Sequence, residues 1–225
     1  MSSQLPGGDD IDVGAVGRLV AVADGGAGGA IETQLSADGN VGRIVAVRGS
    51  GIDATVDATG RIGVVKSVRG GIQGSFRSGG DVSTVVATDG DIRASIEAGR
   101  SIGSVVAAQG GINLRGGAGI VARGGDIGTI RAGQGGILDG GNAEPDIETR
   151  DGGNIGRIIA VEGGIDAEIE SSGRIGRILS RGTYDGSRWL GGSFDADILA
   201  QDTVGTIAAI HGDINLADSK IEANG

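Results

Sequence analysis

The chain repeats itself at a spacing of about twenty residues, and that period restricts the available folds more than any single motif does. Units open on an aliphatic residue, followed closely by Ile, Leu or Val, at Val16, Val41, Ile62, Val82, Ile102, Ile127, Ile155, Ile175 and Val204. The tightest spacing, from Ile62 to Val82 to Ile102, sets the basic repeat, and longer units carry insertions. These fall near 24–30, 115–119, 138–145 and 182–192, and residues 1–10 form an irregular segment ahead of the pattern. The length permits one or two domains. Because the repeats run from end to end, the expectation is a single domain, 1–225.

The unit from Ile155 to Gly173 shows the local structure most clearly. It splits at Gly163-Gly164. In the second half, Ile165, Ala167, Ile169 and Ser171 alternate with Asp166, Glu168 and Glu170, which is a half-buried strand of period two. The same half recurs as Ile52-Ala54-Val56-Ala58, Ile72-Gly74-Phe76-Ser78 and Ile92-Ala94-Ile96-Ala98. Glycines this frequent would each cost a helix about 1 kcal/mol. A propeller blade needs about twice this period, and the L-x-x-L-x-L pattern of leucine-rich repeats is missing. The remaining solution is all-β: a single-domain parallel β-helix, or β-solenoid, of about nine coils. Coils stacked at about 4.8 Å make a rod on the order of 40 Å long, and parallel crossovers favour the right hand.

Stacking turns each repeat position into a column. Ile52, Ile72, Ile92, Ile112, Ile165, Phe194 and Ile214 form one interior column, and Val56, Phe76, Ile96, Ile169 and Ile198 a second. Small Ala54, Ala94, Ala167 and Ala196 stand between them. Composition agrees: glycine supplies 49 of 225 residues and aromatics only 2%, so Ile, Val, Leu and Ala must make the core. The chain has no cysteine, hence no disulfide framework or thiolate metal site. A net charge of −10 opposes binding to nucleic acid or anionic lipid unless the arginines cluster. No apolar run approaches the length of a membrane span, so no membrane insertion is expected. The opening Met-Ser-Ser-Gln-Leu-Pro lacks the pattern of a secretory leader.

The first half of each unit differs, because apolar residues fall on both faces. Ile44 and Ala46 point one way, Val45 and Val47 the other. Strands apolar on both sides are usually covered on both. The outward set is Val20, Val45, Val86, Val106, Ile159 and Leu179, flanked by Val47 and Val161 and interrupted by Lys66 and Arg131. A stripe over five or six coils exceeds the apolar patch that monomers usually tolerate. It is the candidate interface of a homo-oligomer or filament. On the other face, Asp57, Arg77 and Glu97 hold equivalent positions in successive coils, an alternation that favours pairing across strands.

Counting back from each following unit places Asp146, Asp166 and Asp195 in one outward column and Glu148, Glu168 and Asp197 in the next. Six stacked carboxylates repel one another, and Ca²⁺, which takes several carboxylate oxygens, is the candidate ion. No other cofactor is expected. A polysaccharide-active enzyme is the rival reading, but paired carboxylates in contrasting environments are not evident, and Arg150 is the only basic residue nearby. The single histidine, His211, stands at a corner, where an ordinary surface residue is the expectation. Gly25-Gly26-Ala27-Gly28-Gly29 lacks the helix and the Gly-Lys-Ser/Thr of a phosphate loop. Tyr184, Arg188 and Trp189, within an insertion, are the candidate carbohydrate- or partner-binding loop. No catalytic constellation emerges, and a non-enzymatic role is expected.

The I-G-x-I-x-A…G-G-I-x-A-x-I-x-A rhythm resembles bacterial surface β-helix repeat proteins, of the filamentous-haemagglutinin and autotransporter-passenger type. The resemblance spans about the whole chain and is one of rhythm. It implies an extracellular or cell-surface structural or adhesive rod, and it carries no functional residues across. The pattern also stops in mid-unit near Lys220–Gly225, and an open coil edge invites another chain, so end-to-end assembly is a second expectation.

Overall fold

The computed structural model describes residues 10–22, 30–139, 145–184, 187, 189–190, 192–215 and 220–224. The first half of every unit contributes one strand to a nine-stranded parallel sheet. Its strands are Val16–Ala21, Val41–Ala46, Ile62–Ser67, Val82–Ala87, Ile102–Ala107, Ile127–Ala132, Ile155–Ala160, Ile175–Arg181 and Val204–Ile210. These strands number the coils 1 to 9. The second halves build a 13-stranded sheet, also parallel, on the opposite side of the coil. The result is a parallel β-solenoid of about nine turns.

The solenoid begins ahead of the first repeat unit. Asp10–Val13 already pairs in register with Gln34 to Ala37, so Ile11 and Val13 extend the interior columns. Asp10, expected in the irregular segment, belongs to this strand. In coils 5 and 6 the second-half strand is broken. Ile112–Asn113 resumes at Ile120–Ala122, and Ile137–Leu138 resumes at Ile147–Thr149. The sheet tolerates these insertions because pairing continues on both sides of the break.

The core lies between the two sheets and consists of the expected columns. Ile31, Ile52, Ile72, Ile92, Ile112, Ile137, Ile165, Phe194 and Ile214 follow one another in register. The second column runs from Leu35 through Val56, Phe76, Ile96, Ile120, Ile147, Ile169 and Ile198 to Ile221. Ile52 to Phe194 and Leu35 to Ile198 are buried, and each aliphatic member contributes roughly 1.5–3 kcal/mol. Ile214 and Ile221, in coil 9, are 45% and 40% exposed. Gly74, two residues before the fully buried Phe76, has φ +99°, and in that conformation a Cβ would lie 2.1 Å from the Ala54 carbonyl oxygen.

Where strands end, the chain turns, and the turning backbone needs partners. Buried hydroxyls supply them. Ser67, Ser78, Thr149, Ser171 and Ser180 occupy strand-end columns otherwise filled by alanine. Ser78 Oγ donates to the Gly60 carbonyl at 2.7 Å, and Thr149 Oγ1 and Ser171 Oγ both donate to the Gly153 carbonyl. Along the corner that precedes the nine-stranded sheet, side-chain oxygens cap the next coil at five steps. Asn40 Oδ1 accepts from the Arg61 amide, Asp81 Oδ1 from Ser101, Ser101 Oγ from Asp126, Asp126 Oδ1 from Asn154 and Asn154 Oδ1 from Arg174. Neighbouring coils approach closely just past this corner. A Cβ at Gly42, Gly63, Gly156 or Gly205 would lie 2.3–2.5 Å from the carbonyl oxygen of the residue one coil earlier. That contact explains the I-G and V-G openings of most units.

Candidate interface faces

The outward side chains of the nine-stranded sheet stand in three ladders. The central one reads Val20, Val45, Lys66, Val86, Val106, Arg131, Ile159, Leu179 and Ala208, residue against residue. On the side toward the second half of the coil lie Val22, Val47, Val68, Thr88, Ala108, Gly133, Val161, Arg181 and Ile210. Val20 is 36% exposed and Val22 60%. Val45, Val47, Val86, Val106, Ile159, Val161 and Leu179 are half-buried, shielded by their ladder neighbours, and none is buried. The apolar stripe therefore lies at the surface, cut at Lys66 and Arg131 as the sequence implies.

The third ladder was not foreseen. Arg18, Arg43, Val64, Thr84, Ser104, Thr129, Arg157, Arg177 and Thr206 lie side by side along the stripe. Together with Lys66, Arg131 and Arg181, its four arginines are all the charged residues in the nine strands, which contain no Asp or Glu. A chain of net charge −10 thus has one sheet whose charged strand residues are all cations. The signal was present in the I-G-R and V-G-R openings of coils 1, 2, 7 and 8. Its meaning depends on stacking, which turns scattered arginines into two pairs, one toward each end of the sheet, with the members of a pair about 4.8 Å apart.

The opposite face is acidic, but not in the expected columns. Ile147 pairs with Ile169, so Asp146 stands level with Glu168 and Asp197. Asp166 and Asp195 form a separate column, which Leu138 continues. Glu148 is level with Glu170 and Leu199. Counting back from Ile155 failed because the corner of coil 6 is two residues longer. Thr149 and Ser171 are level, and the extra residues form a turn in which Asp151 has φ +53° and Gly152 φ +83°.

These carboxylates make local contacts. Asp146 is buried and accepts the Glu168 amide at 3.1 Å. Arg150 grips Glu148 with Nη2 on Oε2 at 2.7 Å and Nε on Oε1. Asp195 accepts from Asn215, and Asp197 from the Lys220 amide. Partial burial raises the Asp166 carboxyl above the usual range, Asp139 and Asp195 push it the same way, and Arg115 opposes them. Among the described residues, no three His, Asp or Glu side chains converge to hold a metal ion. The six carboxylates therefore stand as two short columns and a paired glutamate, not as the two columns of three that were expected.

The charge alternation does form. Arg77 bridges Asp57 at 3.9 Å and Glu97 at 3.2 Å, and Arg123 reaches Glu97 at 2.5 Å. The Arg123 hydrogen bond, helped by Arg77 and opposed by burial, holds the Glu97 carboxyl below its ordinary value. These residues line a shallow groove of about 330 Å³. Near coil 8, Thr183–Tyr184 and Trp189–Leu190 pair as a short antiparallel hairpin. Arg188 and the side chains of Tyr184 and Trp189 lie outside the described residues. His211 is exposed at its corner with φ +63°. Among the described residues no helix is long and apolar enough to cross a membrane. No protein-family model, curated protein or solved structure matches this chain.

Proposed function

We propose that this protein is a non-enzymatic structural element, a β-solenoid rod that associates side by side with further copies of itself. One observation carries the reading. Val20, Val45, Val86, Val106, Ile159 and Leu179 fall in a single ladder on an outward face, and none of them is buried. An aliphatic row of this length on a sheet surface gains stability when a second layer covers it. The opposite face invests its polar groups in local pairing, as Arg77, Glu97 and Arg150 illustrate.

The test is molar mass in solution, by size-exclusion chromatography with light scattering over about a hundredfold range of concentration. Growth above the 22.0 kDa chain mass supports assembly. Replacing Val45, Val86, Val106 and Ile159 with Asp should return the protein to monomer with its circular dichroism unchanged. Assembly that survives those replacements, or a native chain that is monomeric throughout, refutes the reading.

A further inference from the structure

We propose that copies associate front to back, the cationic outer face of the nine-stranded sheet docking on the acidic outer face of a second copy's 13-stranded sheet. This rests on the side-by-side assembly proposed above and specifies its geometry. Pairing two nine-stranded faces would bring together only cations, whichever way the rods run, because neither face contains an Asp or Glu. Like charges across an interface cost several kcal/mol. The apolar stripe and its arginines therefore favour an occupant that is itself anionic, and the protein's other face is one.

The two faces match in spacing and in distribution. Both repeat at the same coil-to-coil distance, because they belong to the same coils. At one end of the rod, Arg18 and Arg43 lie in coils 1 and 2, and Glu32 and Asp53 lie on the opposite face of those coils. Toward the other end, Arg157 and Arg177 of coils 7 and 8 match Asp166 and Asp195. All eight of these side chains are exposed. Between them, the nine-stranded face keeps single cations at Lys66 in coil 3 and Arg131 in coil 6. Coils 4 and 5 present Thr84 and Ser104 in the arginine ladder, and on the reverse Arg93 and Glu97 offset one another in coil 4. A second copy placed in front by translation, with coils in register, therefore sets cations opposite anions at both ends, and in the middle it sets Lys66 level with Arg77 of coil 3, the weak point of the match. Sheets packed this way lie about 10 Å apart, within reach of arginine. The contact is heterologous and does not close on itself, so copies add in an open stack across the rod axis.

Paired charge reversals test this. The double variant Arg157→Glu/Arg177→Glu sets carboxylates opposite Asp166 and Asp195 in coils 7 and 8, and Asp166→Arg/Asp195→Arg sets guanidinium groups opposite Arg157 and Arg177. Front-to-back docking predicts that each variant alone associates about tenfold or more weakly than the native chain, and that mixing the two in equal amounts restores co-assembly. Native assembly should also weaken between about 0.05 and 0.5 M salt, which reads the same term without any substitution. Circular dichroism establishes that the variants are folded. If the native protein assembles but neither reversal nor salt alters it, front-to-back docking is wrong and the stripe-mediated reading stands. If the arginine reversal instead strengthens assembly, like faces meet, and the inference is again overturned. A native chain that never assembles removes both.

Discussion

Ile96 and Ile221 belong to one interior column, so truncating each to alanine measures what a stacked neighbour contributes. Ile96, in coil 4, is fully buried between Phe76 and Ile120, whereas Ile221, in coil 9, is 40% exposed. Ile→Ala removes three carbons, about 2.4 kcal/mol of transfer free energy at full burial. At Ile96 the cavity left between two coils raises this to about 3–4 kcal/mol, within the range for buried Ile→Ala. At Ile221 about three-fifths of the transfer free energy is lost and no enclosed cavity remains, so the cost is about 1.4 kcal/mol. Guanidinium unfolding followed by circular dichroism near 218 nm measures both, and hydrogen exchange shows where each loss is felt. A solenoid couples each coil mainly to its neighbours. Ile96→Ala should therefore loosen coils 3 to 5, and Ile221→Ala only coils 8 and 9. Equal costs at the two sites, or loss of protection spread evenly along the rod, would refute the nearest-neighbour account of its stability.

Other consequences follow from the columns and corners. Gly74→Ala forces a methyl to 2.1 Å from the Ala54 carbonyl oxygen at φ +99° and should lower stability by roughly 2 kcal/mol or more. Gly116→Ala, at φ +78° with nothing within 4 Å, should cost only about 1 kcal/mol, and thermal melts of both separate close approach from backbone strain. Ser78→Ala removes one of the two donors to the Gly60 carbonyl, which keeps the Gly80 amide at 3.0 Å, and should cost about 0.5–1.5 kcal/mol, although Ala58 and Ala98 fill the same column on either side. Two carboxyls should respond to pH with opposite signs. The depressed Glu97 stabilises above the ordinary carboxylate pKa, and this is lost as pH falls through its lower folded value. The raised Asp166 imposes a penalty above its folded value that lifts as pH falls to the ordinary one. Glu97→Gln should therefore lower, and Asp166→Asn raise, the melting temperature near pH 7, with both differences shrinking near pH 3.

What the sequence reveals here depends on whether a property survives stacking unchanged. The Ile52 to Ile214 column was legible because strand period and repeat length both place those residues inward, and even Phe194 could be assigned to it across an insertion. Ile137 escaped because an insertion follows it directly. The acidic columns were misread for a related reason: counting back from Ile155 assumes a corner of constant length, and Asp151-Gly152 lengthen that one. The corner caps had a signal, a side-chain oxygen just ahead of the unit at Asn40, Asp81, Ser101, Asp126 and Asn154, but its role becomes visible only when one coil lies on the next. The cationic face is the strongest case. A net charge of −10 averages over the whole chain, whereas a solenoid sorts residues by their position within the repeat. Position three of the unit holds arginine in coils 1, 2, 7 and 8, and the nine first-half strands exclude carboxylates altogether, so the fold separates charges that composition mixes. In such a chain the unit of function is the ladder rather than the residue. Substitutions that alter one ladder across several coils should change assembly, while any one of them alone should change it little.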